Sequence, residues 1–182
     1  AREFADKELK PRAAEIDATR LYPLAVLKAM AELGLMGMLI PEEYGGSQAG
    51  MVSYSLAMTE IGKACASTAV TMSVTNMVAE VIHTFGNEGA RRAHIPKICD
   101  GGYSGGAFAL TEATAGSDPA SMKSSANLDG DQYVLYGSKT FITSAEHAGV
   151  FVVWAKTDKD AGAKGISAFL VEKGHPGFVV GR

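Results

Sequence analysis

Six residues, Gly101-Gly102-Tyr103-Ser104-Gly105-Gly106, divide this chain into two stretches whose apolar residues repeat with different periods. Upstream, apolar positions recur every three or four residues, the spacing that lines one face of a helix. Downstream, short β-rich runs alternate with turn residues. A helical pattern cannot be laid down as a strand, so the change of period calls for two units. We place the boundary here, with an α-helical domain over 1–103 and the first part of a β-domain over 104–182. The glycine cluster itself is no nucleotide loop: it lacks the G-x-G-x-x-G order, and neither Lys-Ser nor Lys-Thr follows it.

In the first half, Phe4, Leu9, Ala13 and Ile16 mark a helix that Pro11 interrupts or kinks. Leu24, Leu27, Ala31 and Leu35 predict a second helix after Pro23, and Gly34 and Gly37 then loosen the chain ahead of a turn-rich loop over 41–46. Tyr54, Met58 and Ile61 predict a third helix. Val70, Met77, Val81 and Phe85 suit a fourth, apolar on more than one side and therefore expected to be buried. Asn87 is placed to cap a further helix through Ile98, with Glu88 favourable in its first turn. The methionines of this region read as packing residues.

In the second half, the candidate strands are the run at Phe108, Ala120–Asn127, Gln132–Tyr136, Phe151–Ala155 and Ile166–Val171, with Asp129-Gly130 as a hairpin signal. The closing residues 177–182 are also strand-like. No crossover helices separate these runs, so the expectation is an antiparallel sheet or barrel, not a Rossmann fold. The fold class is α+β, with an all-α domain followed by an incomplete antiparallel β-barrel-like domain.

Composition removes several functions. With 182 residues, 47% hydrophobic and 20% charged, the chain has enough apolar material for a core. A net charge of −3 recruits neither nucleic acid nor an anionic membrane. No apolar run is long enough to span a bilayer. Cys65 and Cys99 form neither a metal spacing nor a disulfide framework, which suits a reducing interior compartment. The four histidines, His83, His94, His147 and His175, have no spacing that builds a metal site or a nucleophile–base pair, and read as surface or loop residues.

The chemistry concentrates in Phe108-Ala109-Leu110-Thr111-Glu112-Ala113-Thr114-Ala115-Gly116-Ser117-Asp118. A strand-like run ends here in a small turn rich in amides, a type that suits a phosphate cradle and equally an ordinary Asx-type turn. Farther on stands Lys139-Thr140-Phe141-Ile142-Thr143-Ser144. The two segments, in this order and spacing, resemble the paired flavin motifs of the acyl-CoA dehydrogenase family. The resemblance extends from Phe4-Ala5 and Glu8-Leu9, through Ile40-Pro41-Glu42-Glu43-Tyr44-Gly45-Gly46, to Phe169-Leu170-Val171-Glu172. Departures are Ala113 for a frequent Pro, Phe141 for a frequent Trp, Ser144 for a common Asn, and Ala145-Glu146 for a common Gly pair.

This resemblance implies an FAD enzyme that dehydrogenates an acyl-CoA thioester between its α and β carbons to the trans-2-enoyl-CoA, with hydride transfer to the flavin. It further implies Phe108, Ala109, Leu110 and Thr111 beside the isoalloxazine, with Thr111 hydrogen-bonding its pyrimidine edge. Gly116 and Ser117 would lie near the pyrophosphate, Ser117 also near the substrate's pantetheine arm, and Phe141, Ile142 and Thr143 would flank the ring. Glu112 is expected to be a structural hydrogen-bonder and not the catalytic base, for which no residue here matches; the family's base comes from a C-terminal helical bundle that this sequence does not include. A homotetramer, transfer of electrons to an electron-transfer flavoprotein, and a cytoplasmic or mitochondrial-matrix location belong to the same expectation. Rival readings are an acyl-CoA oxidase or related flavoenzyme of the superfamily, and a non-catalytic acyl-CoA or flavin-binding protein.

Overall fold

In the computed structural model, which describes residues 1–181, the apolar period of the first half becomes six α-helices: α1 (Arg2–Phe4), α2 (Ala13–Thr19), α3 (Leu24–Glu32), α4 (Gly50–Ala64), α5 (Ala66–Phe85) and α6 (Glu88–Cys99). Between α1 and α2 the chain stays helical but changes pitch, through a π-turn at Ala5–Leu9 and a 3₁₀ turn at Lys10–Arg12. Pro11 has no N–H and its ring crowds the preceding turn, and the altered pitch absorbs both effects while Ala5 and Leu9 remain buried. Asn87 caps α6 as expected, its side chain accepting from the Ala90 N–H at 2.8 Å.

The burial of α5 corrects the sequence reading. Val70 (51% exposed), Met77 and Phe85 (79%) point outward. The buried face instead carries Thr68, Met72, Thr75, Asn76, Val78, Ala79 and Ile82. Polar side chains occupy it because neighbouring backbone needs them. Asn76 Nδ2 donates to Leu35 O and Met72 O, and its Oδ1 accepts from the Met38 N–H at 2.8 Å. The coil after α3 has no ladder of its own to satisfy these groups. Thr75 Oγ1 similarly accepts from the Gly106 N–H at the start of the sheet.

The second half forms β1 (Gly106–Ala109), β2 (Ser125–Asp129), β3 (Gln132–Tyr136), β4 (Val150–Lys156) and β5 (Ile166–Glu172). β2 and β3 are an antiparallel hairpin that turns at Gly130, whose φ of 62° is one that glycine adopts without strain. β4 and β5 pair antiparallel over their whole length. β4 also runs parallel to β1 and touches β2 in parallel through Ser125 and Lys156. The domain order and class stand as expected, but the sheet is mixed and open, not wholly antiparallel. The chain leaves β1, makes the hairpin and returns through a long loop to the same end, so β4 repeats the direction of β1; side-chain alternation carries no record of that direction.

Two more strand expectations change. Within 120–127, residues Pro119–Ser121 form a 3₁₀ turn and pairing starts only at Ser125. Residues 177–181 form no strand and pair with none of β1–β5, and Arg182 lies outside the described residues. One apolar cluster joins the halves: Val150 and Val152 from β4 pack with Val78, Ala79 and Ile82 of α5 and Ile95 and Ile98 of α6. Among the described residues no helix is long and apolar enough to cross a membrane.

Replacing Asn76 by Ala strands a buried N–H and carbonyls, and should lower the unfolding free energy by about 3 kcal/mol in urea denaturation. Val70→Ala on the outward face should change it by no more than about 0.5 kcal/mol. Equal losses would contradict the assignment of the buried face.

Candidate functional site

The strand β1 continues into Leu110, Thr111 and Glu112, and here the two motif segments meet. Thr140 donates its backbone N–H to Thr111 O at 2.9 Å, and Lys139 Nζ donates to Leu110 O at 3.1 Å. Lys139 Nζ also reaches Glu112 Oε1 at 2.8 Å. Their side chains are only 9% and 7% exposed. The remaining capacity of the Glu112 carboxylate is filled by the Lys123 N–H on Oε2 (2.7 Å) and the Ser124 N–H on Oε1 (3.0 Å). Burial by itself would push this carboxyl up, but the ammonium and the amides outweigh it and hold its pKa at about 2. Glu112 is thus charged at neutral pH and acts as a structural hydrogen-bonder, as the sequence suggested.

Beyond Glu112 the chain reverses. Glu112 and Ala115 exchange backbone hydrogen bonds of 3.0 and 3.1 Å, Asp118 caps the next turn through the Ala120 N–H, and Ser121 Oγ donates to Asp118 O. Gly116 and Ser117 are left exposed at the bend, with open space where a Cβ on Gly116 would stand. An anion or a flat ligand edge can reach the backbone there.

The second segment is shaped by Phe141, whose φ is 56° and whose side chain is 92% exposed. A left-handed backbone turns this large ring away from any core, leaving it on a clamped surface. Ile142 goes the other way and packs near Ala107, Phe151 and Val171. Thr143 is half-buried beside it. Phe108 turns toward the helical domain, its ring 5.7 Å from Trp154, while Ala109 is buried. The site's segments are therefore brought together, but Phe108, Ala109 and Ile142 serve packing with their side chains and leave chiefly backbone to a ligand.

Sequence reasoning missed Tyr22, which arrives from the coil between α2 and α3. Its ring stacks on His147 at 4.1 Å, and its hydroxyl lies 2.9 Å from Ser144 Oγ. No local pattern signals a contact between residues 122 positions apart. His94 also differs from its expected surface or loop setting: it sits on α6 with its side chain 13% exposed, 3.2 Å from the Tyr103 hydroxyl. Burial pulls its pKa down, against the opposing pull of Glu172.

Comparison with known proteins adds the lineage. The model of the acyl-CoA dehydrogenase N-terminal domain matches residues 1–102, and that of the acyl-CoA dehydrogenase middle domain matches 107–182. The chain belongs to the acyl-CoA dehydrogenase family. It is 42% identical over 182 residues to the short-chain specific acyl-CoA dehydrogenase of Clostridium acetobutylicum, covering 100% of this chain and 48% of that protein. A chain in the structure of the electron transferring flavoprotein of Acidaminococcus fermentans superposes with a TM-score of 0.95 at 41% identity, covering 100% of this chain and 48% of that one. The glutaryl-CoA dehydrogenase of Mycobacterium smegmatis in complex with FADH2 gives a TM-score of 0.91 at 34% identity, covering 98% and 45%. The chain spans about half the length of the curated relatives it matches.

The brace predicts a pH signature. Because the folded pKa of Glu112 lies below its ordinary 4.5, its contribution is complete above about pH 4.5 and is lost as pH falls toward 2. Unfolding free energy measured across that window should decline with acid, and this component of the slope should vanish in Glu112→Gln. At neutral pH the same variant, leaving the Lys139 ammonium buried and unpaired, should lose about 3–5 kcal/mol.

Proposed function

We propose that this chain is part of an FAD-dependent enzyme that dehydrogenates acyl-CoA thioesters to trans-2-enoyl-CoA. The observation that carries the reading is the pairing of an outward aromatic, Phe141, with the open Gly116–Ser117 bend on one platform braced by Glu112 and Lys139. Membership of the family and the likeness to a dehydrogenase holding FADH2 support it. We read the chain as two domains, 1–103 and 104–182, with the platform in the second.

The residues present fit the cofactor. An exposed aromatic matches a flat isoalloxazine, hydroxyls match its heteroatoms, and a bend without a Cβ admits a pyrophosphate. When bound, FAD supplies the acceptor for the hydride that leaves the substrate's β-carbon. On this reading Phe141 packs on the ring and excludes water from it. Phe108, Ala109, Leu110 and Ile142 form the wall behind it, and Thr111 and Thr143 hydrogen-bond its edge. Gly116 and Ser117 hold the pyrophosphate, with Ser117 extending to the pantetheine arm. Glu112 does not take the α-proton, since a carboxylate with a pKa of about 2 and three donors is a poor base at neutral pH.

The same reading assigns an acyl-CoA substrate, an electron-transfer flavoprotein as electron acceptor, a homotetrameric assembly, and the cytoplasm or, in a eukaryotic source, the mitochondrial matrix. A visible absorption spectrum of the full protein should show a flavin band that bleaches on anaerobic addition of a short-chain acyl-CoA. Absence of that band after incubation with FAD would overturn the reading. The 182-residue polypeptide alone should not turn over acyl-CoA, and measurable enoyl-CoA formation by it would show that a base had been overlooked among its carboxylates.

A further inference from the structure

The loop that presents Phe141 is held in a shape its own sequence disfavours. Phe141 and Ser144 both have positive φ, 56° and 64°, although each carries a Cβ. Such residues cost about 1 kcal/mol or more apiece and persist where their surroundings over-determine them. Ala148 and His147 donate their N–H groups to Ser144 O, which curls the loop after the strained pair. From outside the loop, the Thr140 N–H on Thr111 O and Lys173 Nζ on Glu146 O (2.8 Å) tie it to the β half, and the helical domain holds it through Tyr22.

Tyr22 Oη lies 2.9 Å from Ser104 O and 2.9 Å from Ser144 Oγ. The phenolic hydroxyl donates toward two acceptors, the Ser104 carbonyl and Ser144 Oγ, and its single proton is shared between them. The Tyr22 ring lies nearly parallel to His147, with an interplanar angle of 14°. Gly105 makes the approach possible, because a Cβ there would stand 2.9 Å from the Tyr22 hydroxyl. One side chain thus fastens the interdomain connection at Ser104 and the loop at both Ser144 and His147. The Gly116–Ser117 bend has its own closure through Glu112, Ala115 and Asp118 and takes nothing from Tyr22.

Building on the flavin reading above, we propose that Tyr22 is the positioning residue of the flavin-facing loop. By holding Ser144 and His147, it fixes where Phe141 and Thr143 meet the ring, and so makes the ring's surroundings depend on the helical domain. The grip on the pyrophosphate is independent of it. The loss of Tyr22's hydrogen bonds should therefore change the environment of the bound isoalloxazine more than its retention.

The test uses the full-length protein with FAD, as wild type, Tyr22→Phe, Ser144→Ala and the double variant. Tyr22→Phe keeps the ring on His147 and removes only the hydroxyl. Visible circular dichroism of the bound flavin and its midpoint potential are the readouts, with the FAD dissociation constant measured alongside. Tyr22→Phe should retain FAD with the dissociation constant raised about three- to tenfold, and with a changed flavin dichroism and potential. Ser144→Ala should shift both in the same direction, and the double variant should go no further than Tyr22→Phe, since both substitutions remove one shared bond. FAD-bound Tyr22→Phe with wild-type dichroism and potential would overturn the positioning role while leaving the flavin reading intact. So would additive effects confined to melting temperature. Should Tyr22→Phe not fold, Ser144→Ala decides alone by the same spectral criterion. A wild-type protein that takes up no FAD would overturn both.

Discussion

The buried ion pair of Glu112 and Lys139 is the interaction on which the candidate site depends. Two charges withdrawn from water are tolerable only when every lone pair and proton finds a partner. Glu112 meets this with one ammonium and two amides, and Lys139 with the carboxylate, Leu110 O and, more distantly, Met122 Sδ. The geometry that satisfies them is narrow. It requires Leu110–Glu112 to lie against Lys139–Thr140, and the Thr140 to Thr111 backbone bond follows from the same alignment. The pair thereby converts two segments 27 residues apart into one surface. Its contribution is to select an arrangement, since an apolar pair of similar volume could supply equal stability without dictating register.

The platform is held in turn by the seam between helices and sheet. β4 lies at the centre of the sheet, contacts α5 and α6 through Val150 and Val152, and carries β1 on one edge and β5 on the other. Thr75 ties the start of β1 to α5, and Tyr22 ties the Phe141 loop to the coil ahead of α3. The helical half therefore acts as a jig for the β half, and the polar members of α5's buried face are explained by that duty. The strained backbone at Phe141 is sustained by the same framework, as its exposed ring has no core of its own to stabilise it.

Most elements were legible in the sequence because they follow local rules. Asn87 marks its helix start, the β2–β3 hairpin turns beside Asp129-Gly130, and β4 and β5 lie within a residue of their apolar runs. The motif at 108–118 indicated the site, and the role of Glu112 as a structural hydrogen-bonder was visible in it. The failures share a cause. On α5, counting apolar residues selected Val70, Met77 and Phe85, whereas Asn76 and Thr75 are buried to satisfy backbone groups elsewhere. The closing stretch has strand composition, yet its described residues pair with no strand.

The sequence by itself determined the division into helical and β halves, most helix and strand positions, and the residue types available to a flavin, because period, capping and turn chemistry act over a few neighbouring positions. Tertiary structure alone decided the direction of β4 beside β1, the buried face of α5, the inward turn of Phe108 and Ile142, and the reach of Tyr22 to Ser144. Each of these is a pairing between distant segments. Such a pairing is set by which polar groups must be satisfied once loops have closed, and no local pattern encodes it.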